Sequence, residues 1–349
     1  MDISTLPGTV PEPSSLTPEQ QRQTAYSLSD LIRSTPPDQR ISHLNTIGEQ
    51  LTQIQDALAL DELLGVVGSS YPPEHTANLL TRFTQNPNAA ALSQSIEAIK
   101  ALNVSASLLH PARSRPSGET FPLSEAQQTA VSGFFTAFSE SMLPHLNVDL
   151  RKNVLTAVGE LVSHNRHIPE LAGLSVGIPQ AILREQQLPV GLLTRINNLV
   201  SYTYPPEQRT ALAPLIGEQL ATLQDYAAID EALRIARQYP PEQAATILSS
   251  FAQNQNADAL AQTAHVLYAL SASLSKALPF PGHQLQLSEV QSSALSGFFS
   301  LLTEKTLPTL NVSQRIGIIG AISFILKNHS HIPEIAQLTS GLLYKASQP

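Results

Sequence analysis

Apolar residues recur along most of this chain with the 3.6-residue period of an α-helix. In the clearest stretch, Phe134 and Phe138 stand four residues apart, and Ala130, Val131 and Phe135 fall on the same side of the predicted helix. Alternation of apolar and polar residues between hairpin turns, which would indicate strands, is not sustained anywhere in the sequence. The pattern therefore predicts an all-α fold. Further stripes of this kind run over residues 79–83, 154–162, 247–251, 294–302 and 318–326.

Helix start signals stand in front of these stripes. Thr17 precedes a proline and is followed by Gln20, which is the spacing of a capping box. Ser124 repeats the same spacing, and Asn147 is an expected N-cap residue. The predicted helices of the first half begin near residues 17, 36, 72, 88, 124, 147, 167 and 178.

Prolyl corners recur at a regular distance. Pro-Pro followed by an acidic residue occurs after Thr35, Tyr71, Tyr204 and Tyr239, so the two corners of each half lie about 35 residues apart. The acid suits the positive end of a helix dipole. The distance resembles the helix-pair spacing of armadillo- and HEAT-like solenoids, a resemblance of architecture and not of individual residues. We therefore predict an α-solenoid-like stack, with two packed helical bundles as the alternative.

The chain also repeats itself. The offset between matching blocks falls from 169 to 164 residues along the copy, so length changes are expected in the loops between them. The sequence thus predicts an internally duplicated helical repeat, with a disordered leader at residues 1–15, copy one at 16–187 and copy two at 188–349. The matching blocks include Ile47-Gly-Glu-Gln-Leu51 with Ile216-Gly-Glu-Gln-Leu220, Ser105-Ala-Ser-Leu108 with Ser271-Ala-Ser-Leu274, Ser132-Gly-Phe-Phe135 with Ser296-Gly-Phe-Phe299, and His167-Ile-Pro-Glu170 with His331-Ile-Pro-Glu334.

Composition and charge exclude several kinds of partner and several kinds of site. The net charge of −8 and the scattered Lys and Arg residues argue against nucleic acid, whose phosphates require clustered cations. The chain has no Cys, which excludes disulfides, thiolate metal sites and a cysteine nucleophile. The longest apolar run, near residues 316–326, is about half of the ~20 residues that span a bilayer, so we predict no membrane span.

Histidines and glutamates invite a metal-site interpretation. His164, His167 and Glu170 could meet on adjacent helical turns, but the second copy spaces its histidines differently, at His329 and His331. A metal site present in both copies would not tolerate that change in spacing. We therefore predict that this block ends one helix and starts the next, and that the protein holds no metal and no cofactor.

Adjacent carboxylates occur in both copies, at Asp61-Glu62 and at Asp230-Glu231. Neighbouring residues on a helix point about 100° apart, so neither pair is arranged to share one proton or to flank one substrate bond. Both pairs are predicted to lie on solvated helix faces. No phosphate-binding loop or nucleophile motif accompanies them.

Two glycines interrupt strong helical patterns at matching places. Gly133 and Gly297 each cost a helix about 1 kcal/mol relative to Ala. Their presence in both copies predicts that another helix approaches the backbone there.

Two proline-rich segments differ between the copies although the residues around them agree. The first carries Arg113 and Arg115, and the second carries Phe280 and His283. Loops that vary on a constant scaffold often determine which partner is bound. We therefore assign these four residues to partner binding.

The leading functional hypothesis is a non-enzymatic helical scaffold that binds another protein. The polar, Ser/Thr/Pro-rich residues 1–15 resemble the leaders of bacterial type III secreted effectors, which would imply action on a host protein. The protein would then be cytoplasmic, or secreted into a host cell by a non-Sec route. Two alternatives stay open: an all-helical enzyme with a carboxylate site between the copies, and a structural protein that assembles head to tail.

Overall fold

The computed structural model of the protein describes residues 16–109, 119–253, 256–277 and 286–348. Helices account for 80% of the structure, against roughly a third in an average globular protein, and no strand occurs in these four ranges. The all-α prediction is confirmed. The predicted leader, residues 1–15, lies outside the described ranges.

The contacts divide the chain into two compact units, Met1–Ile178 and Pro179–Pro349. The predicted boundaries of the two copies stay a prediction, because the limits of a compact unit are not the limits of a repeat. The α-helices of the first unit are α1 (Pro18–Ser34), α2 (Leu44–Gln53), α3 (Ala57–Ser70), α4 (Pro73–Phe83), α5 (Ala89–Ser93), α6 (Ser95–Leu109), α7 (Glu125–Ala137), α8 (Val148–His164) and α9 (Glu170–Ser175).

Helix α10 (Gly177–Leu183) crosses the boundary between the units. A π-helical turn, Phe138–Met142, follows α7, and the corresponding turn Leu302–Thr306 follows α17 in the second unit. The α-helices of the second unit are α11 (Val190–Thr203), α12 (Pro206–Ala221), α13 (Tyr226–Ala236), α14 (Pro241–Phe251), α15 (Ala257–Ala261), α16 (Thr263–Ala277), α17 (Glu289–Leu301), α18 (Val312–Asn328) and α19 (Pro333–Ala346).

Within each unit the longer helices pack in two rows. In the first unit, α1, α3, α6 and α8 pack one after another as row A, and α2, α4, α7 and α9 form row B. In the second unit, row A is α11, α13, α16 and α18, and row B is α12, α14, α17 and α19. The apolar stripe of each helix is buried between neighbours, and burial of that stripe holds the rows together.

The predicted caps form in the structure. Thr17 and Gln20 close a capping box at the start of α1, and Ser124 does the same with Gln127 at the start of α7. The Asn147 side chain accepts from the backbone N–H of Leu150 at 2.9 Å. These bonds satisfy N–H groups that have no partner inside the helix.

One predicted start is wrong. No α-helix begins near residue 36: residues 37–39 form a turn, a short 3₁₀-helix follows at Arg40–His43, and α2 starts at Leu44. The other three corners each begin a helix directly. Their tyrosines are buried, with at most 2% of the surface exposed, whereas Thr35 has no ring to anchor the corner in the core.

Two serines, one in each unit, make the same bond to the backbone of a corner tyrosine. The Ser105 hydroxyl of α6 donates to the backbone oxygen of Tyr71 at 2.8 Å, and Ser273 donates in the same way to Tyr239 at 2.6 Å. These bonds match Ser105 with Ser273, two residues after the serine with which the repeated letters match it. The repeated letters Ser-Ala-Ser-Leu concealed this shift, because a local match of small residues does not fix the register of a helix.

No described helix is both long and apolar enough to cross a bilayer.

Candidate functional site

The four residues assigned to partner binding cannot be placed. Arg113 and Arg115 fall in residues 110–118, and Phe280 and His283 fall in residues 278–285, all outside the described ranges. The chain that follows residues 110–118 is held by a backbone hydrogen bond, since the N–H of Phe121 donates to the backbone oxygen of His167 at 2.7 Å.

The histidine blocks separate helices, as the sequence predicts. In the first unit α8 ends at His164 and α9 begins at Glu170, whose carboxylate accepts from the Leu123 backbone N–H at 3.4 Å. His164 contacts the Asn103 amide at 3.3 Å. In the four described ranges no three His, Asp or Glu side chains are grouped as a metal ion would require.

The glutamates of two prolyl corners act as structural acceptors. Glu74 accepts from the capping-box residue Gln127 at 3.1 Å, and Glu242 accepts from Gln291 at 3.2 Å. Gln127 therefore caps its own helix α7 and also bonds the start of α4, the preceding helix of row B. Gln291 does the same with α17 and α14. Sequence reasoning assigned the corners to helix starts but missed this bridge, because it joins residues about 50 positions apart.

The adjacent carboxylates lie on helix surfaces, in the arrangement that their spacing predicts. Glu62 pairs with Arg33 at 2.9 Å and Glu231 with Arg234 at 2.6 Å, while their neighbours Asp61 and Asp230 are exposed. Ion pairs of this kind contribute little to stability, about 0–1 kcal/mol each.

A cleft of about 540 Å³ in the second unit is lined in part by Glu185 and Glu218. The buried amide of Gln219 forms its wall and donates to the backbone oxygens of Leu183 at 2.8 Å and of Glu185 at 2.7 Å. Because both donors of that amide are used by the backbone, Gln219 holds the loop together and has none to offer a ligand.

A groove of about 590 Å³ runs between α4 and α7 in row B of the first unit. Its floor is made of small side chains, and its polar groups are one amide, two hydroxyls and one carboxylate. The exposed backbone of Gly133 lies at its edge. The lining residues are Asn78, Thr81, Glu125, Ala126, Thr129, Ala130 and Gly133.

The prediction for the two glycines is wrong. A Cβ atom placed on Gly133 or on Gly297 would meet nothing within 4 Å, and both residues are exposed. No helix approaches either backbone. Gly133 and Gly297 therefore weaken their helices, although the packing of the described chain does not require a glycine at either position.

A stability prediction follows for these glycines. Gly133→Ala and Gly297→Ala are each expected to raise the free energy of unfolding by about 0.5–1 kcal/mol, because Ala restricts the unfolded chain and fits without a clash. Urea unfolding followed by circular dichroism measures the change. A loss of stability in either variant would mean that a neighbour fills the open space.

A buried histidine distinguishes the second unit from the first. His329 is 2% exposed, and its Nε2 contacts the Ser271 hydroxyl at 2.9 Å. The equivalent residue of the first unit is the neutral Asn165, which donates to Asn103 at 2.7 Å. Burial lowers the pKa of His329 below its ordinary value of 6.5, the Ser271 backbone opposes the shift, and nearby His331 adds to it.

The second unit should therefore lose stability in acid. The unfolded chain takes up a proton on His329 near pH 6.5, whereas the folded unit does so only at lower pH, so stability falls as the pH drops below about 6.5. His329→Asn should reduce this loss. The measurement compares unfolding at about pH 8 and about pH 5, with the exposed His145→Asn as control. Equal pH dependence in wild type and His329→Asn would contradict the assignment.

No protein-family model matches this chain, and no curated protein matches it. Among solved structures, one described as "Computational Design of Self-Assembling Cyclic Protein Homooligomers" covers 94% of each chain at 12% sequence identity, with a TM-score of 0.15. A TM-score this low supports no statement about fold or function.

Proposed function

We propose that this protein is a scaffold that binds other proteins, and that the groove between α4 and α7 receives a helical segment of the partner. The observation that carries this proposal is the open groove itself, with Gly133 exposed at its edge and nothing within 4 Å of its absent side chain. A helix packs closely where the facing side chains are small, and amphipathic helices commonly dock in grooves of this kind.

The proposal includes an internally duplicated, α-solenoid-like architecture. Two rows of helices, each contacting its neighbours in the row, are the arrangement of helix pairs in a short solenoid. The same bonds in both units support a duplication, for example those of Gln127 to Glu74 and of Gln291 to Glu242. Solenoids present extended surfaces along their rows, and partners bind there.

The groove indicates the chemistry of the partner. Ala126 and Ala130 offer a narrow apolar floor, while Asn78 and Thr81 offer hydrogen bonds along one side. Glu125 places a negative charge at one end, and the sequence from residue 1 to 187 carries 11 basic and 18 acidic residues, a net charge of −7. The expected occupant is an amphipathic helix with small apolar residues on its contact face and a basic residue opposite Glu125.

Binding in the groove can be tested by filling it. Immobilised wild type, Gly133→Leu and Gly65→Leu are each incubated with the same cell extract, and retained proteins are quantified by mass spectrometry. Gly65 is a matched control, because it is also exposed in a helix with nothing within 4 Å but lies in row A. We expect Gly133→Leu to lose a retained protein by about 10-fold or more and Gly65→Leu to keep it. Identical retention by all three proteins would contradict the proposal.

A further inference from the structure

The outer face of α18 is an exposed apolar stripe. Val312 is 74% exposed and Ile316, one turn further along the same side of the helix, is 63% exposed. Phe324 is 46% exposed, although one edge of its ring packs against Tyr268 of α16, with the ring centroids 5.3 Å apart. Gly320 lies between them, is exposed, and has open space where a side chain would be. A stripe of this kind on a helix normally packs against another helix.

The equivalent helix of the first unit does not carry this stripe. With the offset of 164 residues that relates α8 to α18, Val312 corresponds to Val148, but Ile316 corresponds to Lys152, Gly320 to Thr156 and Phe324 to Glu160. The stripe is therefore a property of the second unit and not a requirement of the repeated helix.

The position of α18 in its row shows how the stripe could be covered. Inner helices of row A pack a row neighbour on each side, but α18 is the last helix of its row and packs on α16 in row A and on α19 in row B. Helices α16 and α18 run parallel, since Tyr268 of α16 packs against Phe324 of α18, and further along both segments Ser271 bonds His329. A further parallel helix would continue the same packing.

Helix α1 is the first helix of row A in the first unit, and among the described residues Tyr26 and Leu31 on this helix are 52% and 43% exposed. It has the same length as α18, 17 residues. A groove of about 510 Å³ runs along α1, and none of the side chains that line this groove is charged. The lining residues are Leu16, Gln20, Gln23, Thr24, Ser27, Leu28 and Leu31.

We propose that α18 of one molecule packs in parallel on α1 of a second copy of this chain, so that row A of one molecule continues into row A of the next. The apolar stripe then meets an uncharged groove.

Charge favours this pairing over contact between two first halves. Residues 1–187 carry a net charge of −7, whereas residues 188–349 carry 9 basic and 10 acidic residues, a net charge of −1. Two first halves would repel each other, while a first half and a second half would do so much less. The contact joins two different surfaces, so it builds a ring or a filament.

The experiment uses the full chain with one acidic substitution on each proposed surface. Ile316→Glu spoils the α18 stripe, and Ser27→Glu spoils the α1 groove; both positions are exposed, and circular dichroism checks that each variant is folded. Val290→Glu, at a residue of α17 that is 67% exposed, is the control. Sedimentation equilibrium gives the mass of each protein, and of an equal mixture of the two variants.

Wild type and Val290→Glu are expected to exceed 37.6 kDa increasingly with concentration, and each surface variant to stay at 37.6 kDa. The mixture of Ile316→Glu and Ser27→Glu should form a dimer, because each variant supplies the surface that the other has lost. A wild type that stays monomeric up to about 1 mM would overturn the proposal. So would a Ser27→Glu variant that assembles like wild type, because α18 would then pair with something other than α1.

Discussion

Phe134→Ala should lower the free energy of unfolding of the first unit by about 3–5 kcal/mol, because it removes a large side chain from a closed core. Phe134 is fully buried, and its ring centroid lies 5.2 Å from that of Phe135 and 5.8 Å from that of Phe138. Phe134 and Phe135 lie in the last turn of α7, and Phe138 begins the π-helical turn that follows it. Loss of the ring also removes its aromatic contacts with Phe135 and Phe138, which adds to the cost of the cavity.

The loss is best followed by circular dichroism during urea unfolding, because the chain has no Trp to report on the core by fluorescence. Thr136→Ala is a matched control in the same helix, since Thr136 is exposed and its replacement should change stability by less than about 0.5 kcal/mol. A cost below about 1 kcal/mol for Phe134→Ala would mean that this core is not closed.

Gly68→Ala is expected to have the opposite effect to Gly133→Ala, although both residues lie inside helices. A Cβ atom on Gly68 would lie 2.6 Å from the backbone oxygen of Ala101 and 2.7 Å from its Cα. These atoms belong to the backbone of α6, so the helices themselves would have to separate. We expect a net loss of about 1–3 kcal/mol, despite the better helix propensity of Ala.

The two glycine variants are informative as a pair, measured under the same conditions. Opposite signs would establish that α3 and α6 are in backbone contact at Gly68 while α7 is open at Gly133. If Gly68→Ala stabilised the first unit, the close packing of row A at this point would be contradicted.

Much of the fold could be predicted from short-range signals. The caps at Thr17, Ser124 and Asn147 were found because a hydroxyl or amide next to the helix bonds an N–H two or three residues away. The start of α3 was missed although Asp56 caps it, with a bond to the Ala59 N–H at 2.9 Å. A single Asp before an apolar run is a weaker signal of a helix start than a capping box, in which two residues must both match.

Long-range features could not be predicted in this way. Whether a glycine faces another helix depends on the crossing point of two helices, which no local pattern contains; Gly68 touches α6, while Gly133 and Gly297 touch nothing. The buried stripe predicted over residues 318–326 is present, since Ile318, Ile322 and Ile325 are at most 1% exposed. The pattern does not show that Ile316, on the same helix, faces outward.

The groove was also beyond sequence reasoning. Asn78 and Thr81 come from one helix and Glu125 from another, across a segment of more than 40 residues. Sequence variation between the copies pointed instead to the proline-rich segments, and the structure does not describe the four residues named there.

The most direct test of the proposed function uses the absence of cysteine from this chain. A single Cys can be introduced as Gly133→Cys in the groove or as Gly65→Cys on the exposed side of α3, both at positions with open space. The rate of maleimide labelling is then compared in buffer and in cell extract. We predict that the extract slows labelling at position 133 several-fold more than at position 65. Equal slowing at both positions would contradict a partner that occupies the groove between α4 and α7.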